Sequence, residues 1–237
     1  MTLTKTKIKN EQGKPAKTVH KIITQAIQKE TADRLSRIER EFSDAFKIIN
    51  TQSSTITVFG SARFKEGNPY YEQARTLTGK LSERGFTIVT GGGGGIMEAG
   101  NRGAFEAGGA SVGLNIKLPH EQILNDYTTE SMPFYYFFTR KVMLAYDASA
   151  FVFLPGGFGT MDELFEILTL IQTGKIAPVP VILIGKEFWQ GLDGFIKKHM
   201  ADDLQTIDQD DRSLYVITDD LDEAVDVIGP IKVPAAL

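Results

Sequence analysis

Residues 151–172 read FVFLPGGFGTMDELFEILTLIQ. An unbroken apolar run, Phe151 to Leu154, fits a strand covered on both faces. Pro155 and the glycines that follow end it, and DELFEILTLIQTGK then carries a helical pattern. The segment therefore predicts a strand, a loop without side-chain bulk, and a helix. Thr160 is suited to cap that helix, which would put Asp162 and Glu163 in its first turn, where carboxylates suit the helix dipole.

The same unit recurs outward from this stretch. Strand candidates are TITVF (55–59), FTIVT (86–90), ASVGLNI (110–116), AFVFL (150–154), VPVILIG (179–185) and LYVIT (214–218). Helical patterns lie between them, among them YYEQARTLTGKLSERG and IMEAGNRGAFEAGG. Alternation of this kind predicts an α/β fold, a parallel sheet with helices on both faces, over residues 51–237.

Residues 1–50 form a second region. The first 18 residues are polar and Lys-rich and read as a flexible tail. From His20 to Ile49, Leu35, Ile38, Phe42, Ala45, Phe46 and Ile49 recur at the spacing of an amphipathic helix, which has to bury its stripe on the main domain or on a second subunit.

Composition narrows the function. A net charge of −4 over 237 residues argues against nucleic acid as the main partner. The absence of cysteine removes disulfides, zinc–thiolate sites and thiol nucleophiles. His20, His120 and His199 lack metal-ligand spacing, so no metal is expected. With no signal-peptide core and no apolar run long enough to cross a membrane, a cytoplasmic protein is expected.

In an open parallel sheet, ligands bind beyond the carboxyl ends of the strands. Three expected strands end in small residues there: Gly60-Ser61-Ala62-Arg63, Gly91 to Gly95 (including Gly92 and Gly93), and Pro155-Gly156-Gly157-Phe158-Gly159-Thr160. Such loops present backbone N–H groups to an anion, most plausibly a phosphate. GGGGGI lacks the Lys-Ser/Thr of a P-loop, and no acidic residue follows at dinucleotide spacing, so a dinucleotide cofactor is not expected. Asp162 and Glu163 are one helical step, about 100°, apart, and one of them is expected to be reactive. Upstream, SMPFYYFFTRKVMLAYDASAF (131–151) crowds five aromatics before Arg140-Lys141, too densely for one helical stripe.

Together, PGGFGTMDE (155–163), TRK (139–141) and TGGGGGIMEAGNRGA (90–104) resemble the LOG family of cytokinin-activating phosphoribohydrolases, whose signature is PGGxGTxxE and whose members were often labelled lysine decarboxylases. The resemblance covers residues 53 to 230, and the N-terminal extension resembles that of larger bacterial members. Gly94 stands where such members commonly carry Pro.

The resemblance implies a Rossmann-like doubly wound sheet, with the N-terminal helix as an extension, and a homodimer or larger homo-oligomer. It implies an enzyme that hydrolyses the N-glycosidic bond of a purine nucleoside 5′-monophosphate, AMP or an N6-modified AMP, to free base and ribose 5-phosphate, without a cofactor. By matching motif, Glu163 and Arg140 are the catalytic pair, Glu121 and Lys141 contact substrate, and Gly156 through Thr160 form the phosphate loop. A non-catalytic nucleotide-binding or carrier protein on the same fold is the alternative. The decarboxylase label would require a pyridoxal-phosphate lysine, and Lys141, the one motif lysine, has no evident partner for the cofactor ring.

Overall fold

The computed structural model describes residues 16–52, 54–118 and 123–231, with side chains from Thr24 onward. The described residues divide into two compact units between Ser43 and Asp44. Helix α1 runs from Ala16 to Ile49. In the first unit Leu35, one of the expected stripe positions, is exposed. In the larger unit Ala45 and Ile49 are buried, and Phe46 meets Tyr146 edge-on at 4.9 Å.

The larger unit alternates strand and helix: β1 (Thr55–Phe59), α2 (Pro69–Glu83), β2 (Thr87–Thr90), α3 (Ile96–Glu106), β3 (Ser111–Ile116), β4 (Glu130–Phe134), α4 (Phe137–Ala145), β5 (Ala148–Phe153), α5 (Phe158–Gln172), β6 (Val181–Ile184), α6 (Lys186–Phe195), β7 (Val216–Thr218) and α7 (Leu221–Ile228). A π-helix follows α6 at Ile196–Asp203, and a 3₁₀ turn spans Asp210–Ser213. The strands form one sheet in the order β4-β3-β2-β1-β5-β6-β7, every pair parallel, with helices on both faces. This is the Rossmann-like arrangement implied by the resemblance.

Two-sided burial explains the apolar strand runs. All five residues of β1 and all four of β6 are buried. Helix starts follow local chemistry: Asn68 accepts a hydrogen bond from the Tyr70 amide ahead of Pro69, and Asp220 accepts from the amides of Asp222 and Glu223. Helices α2 and α3 approach so closely that a Cβ on Gly103 would stand 2.1 Å from the Arg75 carbonyl oxygen. No helix among the described residues is long and apolar enough to cross a membrane.

Strand β4, ESMPF, was not among the expected strands. It is one of the two edge strands, with Glu130, Ser131 and Pro133 exposed and only Met132 and Phe134 buried, so its apolar signal is short. Its presence resolves the crowded aromatics. Phe134 belongs to a strand and points into the core, whereas Phe137 and Phe138 belong to a helix and are exposed.

Candidate active site

The strand order reverses direction between β1 and β5, the position where an open parallel sheet leaves a crevice. Phe59 and Phe153 pair across that boundary with their rings stacked at 4.8 Å. Beyond them opens a cleft of about 640 Å³. Gly60 to Arg63 after β1 line one wall, Gly157 to Thr160 after β5 another, and Gly91, Met97, Arg140, Asp162 and Glu163 complete it.

The three loops are laced together through their backbones. The Ser61 amide donates to the Pro155 carbonyl at 3.0 Å, and the Ile96 amide donates to the Ser61 carbonyl at 2.9 Å. Gly95 has φ +69°, and a Cβ there would stand 2.3 Å from the Ser61 oxygen, so both conformation and space exclude a side chain.

The pentaglycine is held from behind by a buried polar network. Asn125 donates through its backbone amide to the Gly92 carbonyl at 2.9 Å and through its side chain to the Gly93 carbonyl at 3.0 Å. The Gly92 amide donates to the Thr90 hydroxyl, which in turn donates to the Asn101 side-chain oxygen at 2.6 Å. Asn101 also accepts from Asn125 and donates to the Ser111 hydroxyl. The structure thus puts Gly91 on the cleft wall and turns the carbonyls of Gly92 and Gly93 toward Asn125.

Helix α5 begins earlier than expected. Gly157 occupies the N-cap position without a side-chain cap, the helix starts at Phe158, and Thr160 lies inside its first turn. Asp162 and Glu163 therefore fall in the second turn, and the first turn holds no acid. Interaction with the helix end decays within the first turn, so it does not account for these carboxylates. Thr160 is buried against Gly156, where a Cβ would stand 2.0 Å from the Thr160 hydroxyl oxygen.

Glu163 is half-buried at the cleft wall, and burial pushes its carboxyl up to about 7, opposed by Lys141 and Arg140 and reinforced by Glu166 and Asp162. Arg140 donates from Nε to the Leu114 carbonyl at 2.7 Å, and a Cβ on Gly91 would stand 2.1 Å from its terminal nitrogen. Burial lowers the pKa of Arg140, partly offset by the Glu163 carboxylate. A guanidinium is so weak an acid that the group stays charged.

Lys141 does not line the cleft. Its ammonium pairs with Asp162 at 2.6 Å and Glu166 at 2.8 Å. Burial opposes its charge, but the hydrogen bonds to these two carboxylates, together with the nearby Glu163 carboxylate, outweigh it and raise its pKa. Glu121 lies outside the described residues, as does His120.

Of the further cleft residues, Met97 was given no site role by sequence reasoning, whereas Phe158 fell within the expected phosphate loop and Phe137 among the crowded aromatics. Met97 and Phe137 line the cleft, and Phe158 stands 96% exposed at its edge. The motif neighbour Ile96 was the available signal for Met97. Asn101 and Asn125 lie 24 residues apart and carried none.

Fold and site define a Rossmann-like α/β protein whose switch-point cleft gathers glycine loops, an arginine and a half-buried carboxylate. A profile of the family described as "Possible lysine decarboxylase" matches residues 97–228, more than half of the chain. "Probable cytokinin riboside 5′-monophosphate phosphoribohydrolase LOGL5" of Oryza sativa subsp. japonica is 35% identical over 143 residues, 59% of this chain and 57% of that protein. "Cytokinin riboside 5′-monophosphate phosphoribohydrolase LOG2" of Arabidopsis thaliana is 32% identical over 146 residues, 60% of this chain and 68% of that one. The chain belongs to this family, the LOG family. The match spans little more than half the length of the rice relative. Among solved structures, the molybdenum cofactor binding protein of Rippkaea orientalis superposes with a TM-score of 0.55 at 18% identity, covering 75% of this chain and 96% of that one, a likeness of fold.

Proposed function

We propose that the protein hydrolyses the N-glycosidic bond of a purine nucleoside 5′-monophosphate, AMP or an N6-modified AMP, releasing the base and ribose 5-phosphate. The observation that carries this reading is Glu163, a half-buried carboxylate lining the same cleft as Arg140 and residues Gly157–Thr160 at the start of α5. A pure binding site for an anionic ligand gains nothing from such a group.

Cleavage of the C1′–N9 bond leaves positive charge on the ribose and negative charge on the departing base. The ionised Glu163 stabilises the ribosyl cation and takes a proton from the attacking water, whose oxygen joins C1′. Arg140 stabilises the charge that develops on the base by hydrogen bonding, and the base then takes up a proton from solvent. Backbone amides of Gly157–Thr160 at the N-terminus of α5 and the exposed Arg63 at the cleft mouth bind the 5′-phosphate, which holds the ribose against the carboxylate. Exposed Phe138 and Val142 on α4 support a homodimer or larger homo-oligomer.

The reading is tested by incubating the protein separately with AMP, N6-isopentenyl-AMP and adenosine and separating the products. Release of base and ribose 5-phosphate from the monophosphates, lost in Glu163→Gln with nucleotide binding retained, is the expected result. Retention of bound nucleotide without any release would instead support a carrier on this fold.

A further inference from the structure

We infer that Lys141 is a positioning residue, an ionic tie between α4 and α5 that holds Arg140 and Glu163 in one cleft, and not a group that binds the substrate. The inference rests on the hydrolase reading and departs from the role that the family motif implies for this lysine.

Its basis is the order of charges along two helices. On α4 the residues run Arg140-Lys141, and on α5 they run Asp162-Glu163. Neighbours on a helix diverge by about 100°, so fixing one of each pair fixes the direction of the other. Lys141 Nζ lies 2.6 Å from an Asp162 oxygen and 2.8 Å from a Glu166 oxygen. These two carboxylates are four residues apart and share a face of α5, so one ammonium engages both. The Lys141 side chain is only 16% exposed, although Asp162 is 65% and Glu166 36% exposed, so solvent screens the two pairs in part. Arg140 and Glu163, left over from this pairing, line the cleft; Asp162, whose side chain is 65% exposed, also reaches its lining, and Lys141 does not.

The tie also acts on the charge of Glu163. The groups that surround this carboxylate are Arg140 and Lys141 from α4 and Asp162 and Glu166 from its own helix, with Arg63 on the opposite cleft wall. Lys141 favours the ionised form that the proposed chemistry uses, against the burial that disfavours it.

The test compares Lys141→Met, which keeps the side-chain length without the charge, with Lys141→Arg, which keeps a cation able to bridge two carboxylates. The expected result for Lys141→Met is a loss of kcat on the order of 10–100-fold, with KM for AMP changed less than about threefold. The acid limb of its pH–rate profile moves to higher pH, because the cation that favours ionised Glu163 is gone. Lys141→Arg restores most of kcat and returns the limb towards its original position. A rise in KM with kcat and the pH limb unchanged would overturn the inference and make Lys141 a substrate contact. A readout independent of turnover is the ¹³C-NMR titration of the Glu163 carboxyl in the full-length protein. An upward shift in Lys141→Met supports the tie even if neither AMP nor N6-isopentenyl-AMP is hydrolysed, an outcome that would defeat the hydrolase reading alone. An unchanged titration overturns the tie whatever the activity. Should Lys141→Met fail to fold by thermal melt, Lys141→Gln under the same titration decides in the same way.

Discussion

Arg140 and Glu163 line one cleft, yet although both are among the described residues they form no ion pair with each other. Arg140 is held from the far side by the Leu114 carbonyl, and Glu163 has its own helix behind it. A direct ion pair would satisfy the two charges with each other. With no ion pair between them, both side chains present their charge to the cleft, the arrangement on which the proposed hydrolysis draws.

Glu163 gives a signed prediction for stability. Its carboxyl titrates near 7 in the folded protein against an ordinary value of 4.5, so the folded state favours the protonated form. That contribution is complete below the unfolded value and is lost as pH rises through the folded one. Glu163→Gln should match the parent at about pH 4 and exceed it at about pH 8.5 by on the order of 1–3 kcal/mol. Urea unfolding at the two pH values measures this, and an equal difference at both would refute the assignment.

The same group gives a prediction for rate. If the ionised carboxylate is the reactive form, kcat/KM for AMP should rise through pH 7 and level off above it. An activity that falls across the same interval would make Glu163 a proton donor instead.

Gly91 sets the position of Arg140 by leaving it space. A Cβ at Gly91 would lie 2.1 Å from the guanidinium and 2.6 Å from the Met97 sulfur. Both are ends of flexible side chains, so Gly91→Ala should fold while the arginine moves. A fall in kcat of roughly 10–100-fold is expected, with the circular dichroism spectrum unchanged. Unaltered kcat would show that the guanidinium position is not critical.

Asn101 is fully buried and bonded to Thr90, Asn125 and Ser111. Asn101→Ala would leave those partners short of hydrogen bonds in a dry interior. A loss of about 2–4 kcal/mol in urea unfolding is expected. A loss below about 0.5 kcal/mol would mean that water replaces the amide.

Arg63 is exposed at the cleft mouth, where it lies beside the proposed phosphate position. Arg63→Ala should raise KM for AMP roughly tenfold and leave kcat within about threefold, because a contact made equally in ground and transition states affects binding alone. Steady-state kinetics at two salt concentrations would separate the charge from the packing.

The central strands were legible because two-sided burial writes itself as continuous apolar runs, as in TITVF and VILI. The edge strand β4 was not, since one exposed face and Pro133 erase that signal. The start of α5 was misread because Thr160 resembles a cap, whereas Gly157 takes that place and the helix admits Gly159. Neither the Asn101 network nor the partners of Lys141 could be read, because both join residues that only the fold brings together.

Five successive glycines sample more conformations in an unfolded chain than any other pentamer would, and here Thr90, Asn125 and the close approach of Ser61 confine them. The entropy of that loop is surrendered once, during folding. A ligand entering the cleft meets a mould already set on that side, and its affinity is spared the cost of arranging it.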